Sequence, residues 1–418
     1  MTIQSITLQI AEKAKHASRN IAAASTHDKN RVLALLAEKL VFVKEKIKEE
    51  NQKDLKAARE RGLSPAMMDR LKITDQTIES MVKGLKEVMA LTDPVGEITK
   101  TWQRPNGLEV SRMRIPLGVI AMIYESRPNV TVDAAALCLK AGNSCILRGG
   151  SEAFLSNKIL AQIIREAIDE AGLDKNIVQV LPVKDHDAIT FLLSYDELID
   201  LVIPRGGESL IRFVVKNSAV PVLKHYKGVC HVYVDKYADI AKAMDICLNS
   251  KAQRPGVCNA METLLIHKDI ADDFLPGMAD KFMQKKVQLK GCEKTCDILP
   301  GISKAGEDDW GKEYLDLILS VKIVDTMDQA MDHIAEYGSD HTDVIVSSDH
   351  ARADGFVKNV ASSMVGVNVS TRFNDGGELG LGAEIGISTS KLHAFGPMGL
   401  EELTTTKFVV IGSGQTRT

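Results

Sequence analysis

The sequence lacks any apolar run that approaches the length of a membrane-spanning helix, so we expect no membrane partner. It also lacks a signal-peptide pattern, because polar Gln4, Ser5 and Gln9 interrupt the apolar residues near its start. It carries little net charge: the formal value is -4, which argues against a nucleic-acid or membrane-surface partner. With 44% hydrophobic and 26% charged residues, the composition is that of a globular protein.

Cysteine is scarce and unevenly placed. The 7 cysteines are an odd number scattered over 418 residues, which favours reduced thiols in a cytoplasm over a disulfide framework. Cys292 and Cys296 form the only close pair, and no two further ligands lie nearby, so we expect no metal site.

The length of the chain predicts roughly two to three domains. The spacing of its hydrophobic residues changes along the chain. Residues 1–92 show helical spacing, and Pro105–Gly107 is a hairpin-turn signal. From Gly118 onward, short apolar runs alternate with helical stretches, and a second alternating set follows Cys258. This alternation predicts an α/β fold with two parallel sheets, and Thr404–Ile411 reads as a further strand.

The usual dinucleotide fingerprint, G-x-G-x-x-G after a strand, is absent. Two other strand ends fit a phosphate instead. In Leu147–Glu152, Arg148 is a bidentate phosphate donor and Ser151 is a natural helix cap. At the other strand end, Gly206 and Gly207 would let a phosphate approach the free N–H groups of a helix N-terminus.

Ser250–His267 is the stretch with the clearest chemical potential. It holds Cys258 between a turn, Arg254–Gly256, and an apolar run, Met261–Ile266. A thiol at such a junction can be presented at an open site, where its thiolate is a strong nucleophile that forms thioesters. The alternative is that Cys258 is a small buried apolar residue, as free cysteines often are.

Four segments carry a resemblance to a known family. Met331–Ile345, MDHIAEYGSDHTDVI, is similar to the signature segment of the gamma-glutamyl phosphate reductases, a family within the aldehyde dehydrogenase superfamily. SKAQRPGVCNAMETLLIH resembles that family's active-cysteine segment, and SRPNVTVDAAALCLKAGN and ILRGGSE resemble further superfamily segments. The resemblance extends over essentially the full chain.

The resemblance implies roles for individual residues. Asn129 is expected to line an oxyanion hole, Arg148 to contact the adenosine end of the cofactor, and Glu313 to bind the nicotinamide ribose. The expected catalytic residues are therefore Cys258 and Asn129, and the expected cofactor-binding residues are Arg148, Ser151, Glu152, Gly206, Gly207 and Glu313.

The resemblance also implies an aldehyde-dehydrogenase-like fold: two Rossmann-like parallel-sheet domains plus a small β oligomerisation element. Residues 1–245 and 365–385 would form the cofactor-binding domain, interrupted by an oligomerisation hairpin near 104–117. Residues 246–364 would form the catalytic domain and 386–418 a C-terminal oligomerisation segment. We expect a homo-oligomer, a dimer or tetramer, in which the hairpin and the tail pair between subunits.

The implied activity is NADPH-dependent reduction of L-glutamyl 5-phosphate, a small-molecule substrate, to L-glutamate 5-semialdehyde. Phosphate would be released through a cysteine thioester. The reaction would belong to proline biosynthesis in the cytoplasm, with functional coupling to glutamate 5-kinase.

One segment departs from the oxidising members of the superfamily, which carry a water-activating glutamate upstream of the cysteine. In Val222–Gly228, His225 or a neighbour stands at that place, and the segment has no carboxylate. This favours an acyl-phosphate reductase. Two alternatives stay open: a cysteine-dependent semialdehyde dehydrogenase with water as acceptor and His225 as base, and an acyltransferase that pairs Cys258 with His225 or His341.

Four basic residues near loops are candidates to hold a substrate carboxylate or phosphate: Arg127, Lys216, Arg254 and Arg372. Each such residue is more often a surface or structural arginine or lysine, so the sequence alone does not rank them.

Overall fold

The computed structural model describes residues 2–224 and 226–417, apart from the side chain of Ala66. In chain order the helices are α1 (Ile3–Ala22), α2 (Thr26–Phe42), α3 (Lys44–Glu60), α4 (Pro65–Leu71), α5 (Asp75–Ala90), α6 (Asn129–Lys140), α7 (Phe154–Glu170), α8 (Asp187–Leu193), α9 (Glu208–Asn217), α10 (Ile240–Ala252), α11 (Lys268–Gln284), α12 (Glu293–Ile298), α13 (Glu307–Trp310), α14 (Met327–Tyr337) and α15 (His350–Asn359).

The strands are β1 (Ile98–Gln103), β2 (Glu109–Pro116), β3 (Val119–Tyr124), β4 (Ser144–Arg148), β5 (Val178–Val180), β6 (Leu201–Arg205), β7 (Cys230–Val234), β8 (Met261–His267), β9 (Gln288–Gly291), β10 (Ser303–Lys304), β11 (Ile318–Val324), β12 (Thr342–Val346), β13 (Met364–Val367), β14 (Ile387–Ser388), β15 (Gly396–Pro397) and β16 (Thr404–Ile411). Short 3-10 turns lie at Ser151–Ala153, Lys175–Ile177 and Thr371–Phe373.

The chain forms two compact units. The first unit comprises Met1–Lys224, Leu381–Gly386 and Met398–Thr418, and the second comprises His225–Gly380 and Ile387–Pro397. The expectation that residues 1–92 are helical is confirmed by α1–α5. Within the described residues, no helix is both long enough and apolar enough to cross a membrane.

A four-stranded parallel sheet organises the first unit, in the order β5-β4-β3-β6. Strand β3 is apolar and buried throughout because the sheet is covered on both faces. From β3 the chain moves outward on one side through β4 to β5, and it then returns to place β6 on the other side. The strand order therefore reverses between β3 and β6, which is where open α/β sheets bind ligands at the carboxyl ends of their strands.

A small antiparallel sheet, β1-β2-β16, also belongs to the first unit. The predicted hairpin is present, and Gly107 in its turn has φ +85°, a conformation that favours glycine. The predicted tail strand is present too. It pairs with β2 of its own chain, from Thr404 opposite Pro116 to Ile411 opposite Glu109, and it is an edge strand of this sheet. Pairing of the hairpin and tail between subunits stays a prediction.

Seven parallel strands organise the second unit, in the order β10-β9-β11-β8-β7-β12-β13. Alternate residues of the central strands face opposite cores: Leu264 packs with the α10–α11 side and Leu265 with the α14–α15 side. The two parallel sheets and the small antiparallel sheet confirm the predicted fold class.

The units divide at residues 224 and 225, whereas the predicted boundary after 245 falls inside α10. The difference arises because β7 inserts between β8 and β12 in the seven-stranded sheet, although it precedes the Cys258 stretch in sequence. Similarly, most of segment 365–385, which was predicted with the cofactor domain, lies in the second unit from β13 to Gly380.

Candidate active site

Cys258 lies in a loop of the second unit, residues 253–260, between the end of α10 and the start of β8; we refer to it as the Cys258 loop. The thiol is partly exposed, whereas its neighbour Asn259 is buried. Asn259 Nδ2 donates to the carbonyl oxygen of Asn374 at 2.9 Å, which anchors the loop to the chain that follows β13. Cys258 is therefore held at an accessible place and is not packed into the core.

The backbone carbonyl of Cys258 is fixed from two sides. The Sγ of Cys230, the first residue of β7, donates to the Cys258 oxygen at 3.1 Å. A Cβ added at Gly228 would lie 2.0 Å from that same oxygen, so only glycine allows this approach. Cys230 itself is fully buried, and burial raises the pKa of its thiol well above the ordinary value, which keeps it a neutral donor.

Glu313 approaches the Cys258 loop through Gly228. Its Oε1 accepts a hydrogen bond of 2.8 Å from the Gly228 backbone amide. Two residues further along, Leu315 has φ +53°, and its N–H donates to Glu262 Oε1 at 3.1 Å. The segment that carries Glu313 is thus tied to the chain just before β7 and to β8, the strand that follows the Cys258 loop.

The alternative hypotheses named His225 and His341 as partners of Cys258. His225 lies outside the described residues. His341 is fully buried, and its Nδ1 lies 2.7 Å from Thr342 Oγ1 and 3.6 Å from Cys230 Sγ. Within the described part of the chain, no group of three or more His, Cys, Asp or Glu side chains could hold a metal ion.

Asn129 begins α6 at the carboxyl edge of the first unit's parallel sheet. Its Nδ2 donates to Asp133 Oδ2 at 3.0 Å, one turn later in the same helix. Burial raises the pKa of Asp133 to about 6, although the hydrogen bond from Asn129 and the charge of Arg205 oppose that shift. The amide of Asn129 is therefore oriented by a carboxylate and keeps one further N–H.

Both helix N-termini that were predicted to bind phosphate hold a carboxylate of the chain itself. At α7, Asp54 accepts from the backbone N–H groups of Leu155 and Ser156 at 3.2 and 2.8 Å. At α9, Glu125 Oε2 accepts from the Gly207 N–H at 2.8 Å. At α7 two helical N–H groups are therefore occupied, whereas at α9 only the N–H of Gly207, the residue before the helix, is occupied. Phosphate binding at the α9 end stays a prediction.

Ser151 is not the helix cap that the sequence suggested. It opens the 3-10 turn Ser151–Ala153, and α7 begins afterwards at Phe154 without a side-chain cap from its N-cap residue. Asp54, a distant residue in sequence, takes the place of the local cap. The adjacent Glu152 points its Oε1 at the backbone and hydroxyl of Ser126, both at 2.7 Å, and so joins the turns that follow β3 and β4.

A cleft of about 480 Å³ lies beside Arg148 in the first unit. Arg148 is buried in its wall, with Nη1 and Nη2 donating to the carbonyls of Gly149 and Lys184 at 2.8 and 3.1 Å. The ammonium of Lys184 lies 4.8 Å from the ring centre of Phe154. The basic residues that line the cleft are Arg148, Lys158, Arg165, Lys175 and Lys184.

Known proteins resemble this chain over its full length. Residues 5–317 match the model of the aldehyde dehydrogenase family. The gamma-glutamyl phosphate reductase of Desulforapulum autotrophicum is 67% identical over 417 residues, which is 100% of both chains. The chain belongs to the gamma-glutamyl phosphate reductases of the aldehyde dehydrogenase family. The enzymes of this family use a nicotinamide cofactor.

Solved structures also resemble this chain in fold. The crystal structure of gamma-glutamyl phosphate reductase from Thermotoga maritima has a TM-score of 0.97 and 45% identity, and the match covers 99% of this chain and 100% of that one. An acetylating aldehyde dehydrogenase from Geobacillus thermoglucosidasius has a TM-score of 0.70 at 17% identity, covering 100% of this chain and 98% of that one. The second likeness shows the fold alone.

The predicted site residues divide between the two units. Cys258 and Glu313 come together around Gly228 in the second unit. The carboxyl edge of the first unit's parallel sheet carries the other predicted residues, namely Asn129, Arg148, Ser151, Glu152, Gly206 and Gly207. The sequence reading missed Gly228 and Glu262, although a glutamate inside the apolar run Met261–Ile266 was a visible signal.

Proposed function

We propose that the chain reduces L-glutamyl 5-phosphate to L-glutamate 5-semialdehyde with NADPH, as a step of proline biosynthesis, through a thioester on Cys258. The observation that carries the proposal is the position of Cys258: a partly exposed thiol whose carbonyl is fixed by Cys230 and closely approached by Gly228. The proposal also follows from 67% identity to a relative that is named for this reductase activity.

The chain's residues have distinct parts in the reaction. The Cys258 thiolate attacks the acyl carbon, the bond from that carbon to the phosphate oxygen breaks, and phosphate leaves with the electron pair. When bound, a nicotinamide would supply the hydride that reduces the thioester carbon. The carbon–sulfur bond then breaks, which releases the aldehyde and restores the thiolate. We assign the Asn129 amide and the backbone N–H of Cys258 as donors to the oxyanion.

The cleft beside Arg148 has side chains that could bind the adenosine end of a nicotinamide cofactor. The apolar side chains of Phe154, Val180 and Leu181 offer surface for a base, and exposed Lys158 and Lys184 offer charge for an extra phosphate. This basic lining supports NADPH in preference to NADH. Glu313 is proposed to accept the hydroxyls of the nicotinamide ribose.

The same proposal covers assembly and partners. In β16, Phe408, Val410 and Ile411 are exposed apolar residues on an edge strand, which supports homo-oligomerisation through the antiparallel sheet, as a dimer or tetramer. An acyl phosphate hydrolyses readily, so functional coupling to the supplying glutamate 5-kinase is advantageous. All seven cysteines are thiols, in keeping with a cytoplasmic location.

Alanine substitution of the two neighbouring thiols tests the proposal. Cys258→Ala removes the only atom assigned to the thioester, so NADPH oxidation with glutamyl phosphate should fall by several orders of magnitude while cofactor binding survives. Cys230→Ala is the matched control, because it removes a buried thiol that contacts the same loop, and it should still form the thioester. Near-normal turnover by Cys258→Ala, or loss of thioester only in Cys230→Ala, would show that the wrong thiol has been assigned.

A further inference from the structure

The 3-10 turn Thr371–Phe373 is fastened to the N-terminal side of the Cys258 loop. The Thr371 N–H donates to Ser250 Oγ at 3.1 Å, and Ser250 Oγ lies 3.0 Å from Ser370 Oγ. The side chain of Arg372 crosses to the loop itself, where its Nε donates to Gln253 Oε1 at 2.8 Å. These contacts place the Arg372 guanidinium at the start of the loop that carries the nucleophile.

The same turn is fastened to the loop on the C-terminal side of the nucleophile. Asn259 Nδ2 donates to the carbonyl of Asn374 at 2.9 Å and lies 3.5 Å from that of Arg372. The residues on both sides of Cys258 therefore contact one short turn. Arg372 is held against the loop at its backbone and at its side chain, with Cys258 between the two anchors in sequence.

Two positive charges meet at this junction. Arg254 is in the loop. The pKa of Arg372 is lowered first by the partial burial of Arg372 itself and second by the positive charge of Arg254. Asp375 and the thiol of Cys258 act in the opposite direction. In the described parts of the chain, neither Arg254 nor Arg372 forms an ion pair. Two like charges at one loop, neither of them in an ion pair, favour the binding of an anion there, and an oxyanion of the substrate would supply it.

The chemistry of the substrate indicates which anion this is. In an acyl phosphate the phosphorus is two bonds from the carbon that Cys258 attacks, whereas the α-carboxylate of a glutamyl group is four bonds away. Arginine binds phosphate oxygens through its planar fork of N–H groups. An arginine pair anchored to the nucleophile's own loop thus suits the nearer anion.

We infer that Arg254 and Arg372 form an oxyanion subsite beside Cys258, which holds the phosphoryl group of the acyl phosphate and, in the reverse direction, inorganic phosphate. The inference rests on the proposed function and adds to it the residues that receive the leaving group. In the reverse direction a phosphate oxygen attacks the thioester carbon, the carbon–sulfur bond breaks, and the thiolate leaves with its electron pair.

The test is the reverse reaction of Arg372→Met and Arg254→Met, with semialdehyde, NADP⁺ and inorganic phosphate. Each variant should raise the KM for phosphate by about tenfold or more, as expected for loss of a charge-assisted hydrogen bond. The KM for semialdehyde and the amplitude of the phosphate-independent NADPH burst should not change. That burst also counts correctly folded sites, so misfolding is recognised directly.

Two further variants sharpen the test. Lys358→Met removes an exposed positive charge from α15 in the same unit and should leave the KM for phosphate unchanged. Arg372→Lys keeps the charge but loses the fork, and it should fall between wild type and Arg372→Met.

Two results would overturn the assignment. An increased KM for semialdehyde with an unchanged KM for phosphate would mean that the arginines hold the α-carboxylate. No change in either KM would mean that they are solvated surface charges. Failure of the proposed function looks different, because wild-type protein would then turn over steadily without any phosphate.

Discussion

Lys251 and Glu262 form a fully buried ion pair across the base of the Cys258 loop, with Lys251 Nζ 2.6 Å from Glu262 Oε2. Lys251 is the penultimate residue of α10 and Glu262 the second residue of β8, so the pair joins the two ends between which the loop extends. Glu262 Oε1 also accepts from the Leu315 N–H, which adds the segment of Glu313 to the same anchor. The pair thus links the nucleophile loop and the candidate ribose-binding segment.

Breaking this pair should destabilise the second unit strongly. Lys251→Met or Glu262→Gln leaves one buried charge without its partner, and each should lower the free energy of unfolding by about 3–5 kcal/mol. The combined variant Lys251→Met/Glu262→Gln removes both charges and should recover most of that loss. Urea unfolding of the four proteins gives the comparison, and a double variant as unstable as the sum of the singles would mean that the charges do not interact.

Gly228 should be intolerant of any side chain because its missing Cβ faces the Cys258 carbonyl. Gly228→Ala should displace that carbonyl and lower the rate of thioester formation by about 10²-fold, the typical effect of misplacing a reacting group by an ångström. Gly256→Ala in the same loop is the control, since its new Cβ would meet nothing closer than the Leu315 oxygen at 3.7 Å. Single-turnover acylation measures both; equal rates would show that the close approach has no role.

Asp133 should contribute a pH-dependent term to stability. Burial raises its folded-state pKa from the ordinary 3.8 to about 6, so the favourable contribution is complete below pH 3.8 and is lost as pH rises through 6. Asp133→Asn removes this titration. The stability of wild type relative to Asp133→Asn should therefore fall by on the order of 2 kcal/mol across that window. Denaturant unfolding at stepped pH measures it, and a difference that rises with pH would contradict the burial argument.

The Arg148 cleft should determine the choice between NADPH and NADH. The double variant Lys158→Met/Lys184→Met should lower kcat/KM for NADPH by about tenfold or more while NADH is little affected, because only NADPH carries the additional phosphate. Lys46→Met, an exposed lysine of α3 outside the cleft lining, is the control. Equal losses with both cofactors would place the phosphate elsewhere.

The sequence predicted the elements whose signals are local. The helices before residue 92, the hairpin around Gly107 and the strand Thr404–Ile411 all follow from hydrophobic period or turn chemistry, and all are present. The role of Cys258 was likewise argued from its neighbours, a turn before it and an apolar run after it. That role remains a proposal, although the position between α10 and β8 agrees with it.

Features that depend on distant partners were not predictable in the same way. Asp54 accepts a hydrogen bond from the N–H of Leu155, which lies 101 residues later in the chain. Glu125 likewise accepts from the N–H of Gly207, which lies 82 residues later. No local pattern reveals that Asp54 occupies the N-terminus of α7 or that Glu125 accepts from the residue before α9. The domain boundary was misplaced for a related reason, since the order of strands in a parallel sheet does not follow sequence order.

The central claim is that Cys258 carries the acyl group to phosphate and not to water. Rapid mixing of the protein with semialdehyde and NADP⁺, without phosphate, tests it most directly. The account predicts a burst of one equivalent of NADPH per active site followed by a nearly flat trace, and steady turnover once inorganic phosphate is added. Cys258→Ala should show neither phase. Steady formation of NADPH and free glutamate without phosphate would contradict the account and identify the chain as a semialdehyde dehydrogenase that uses water.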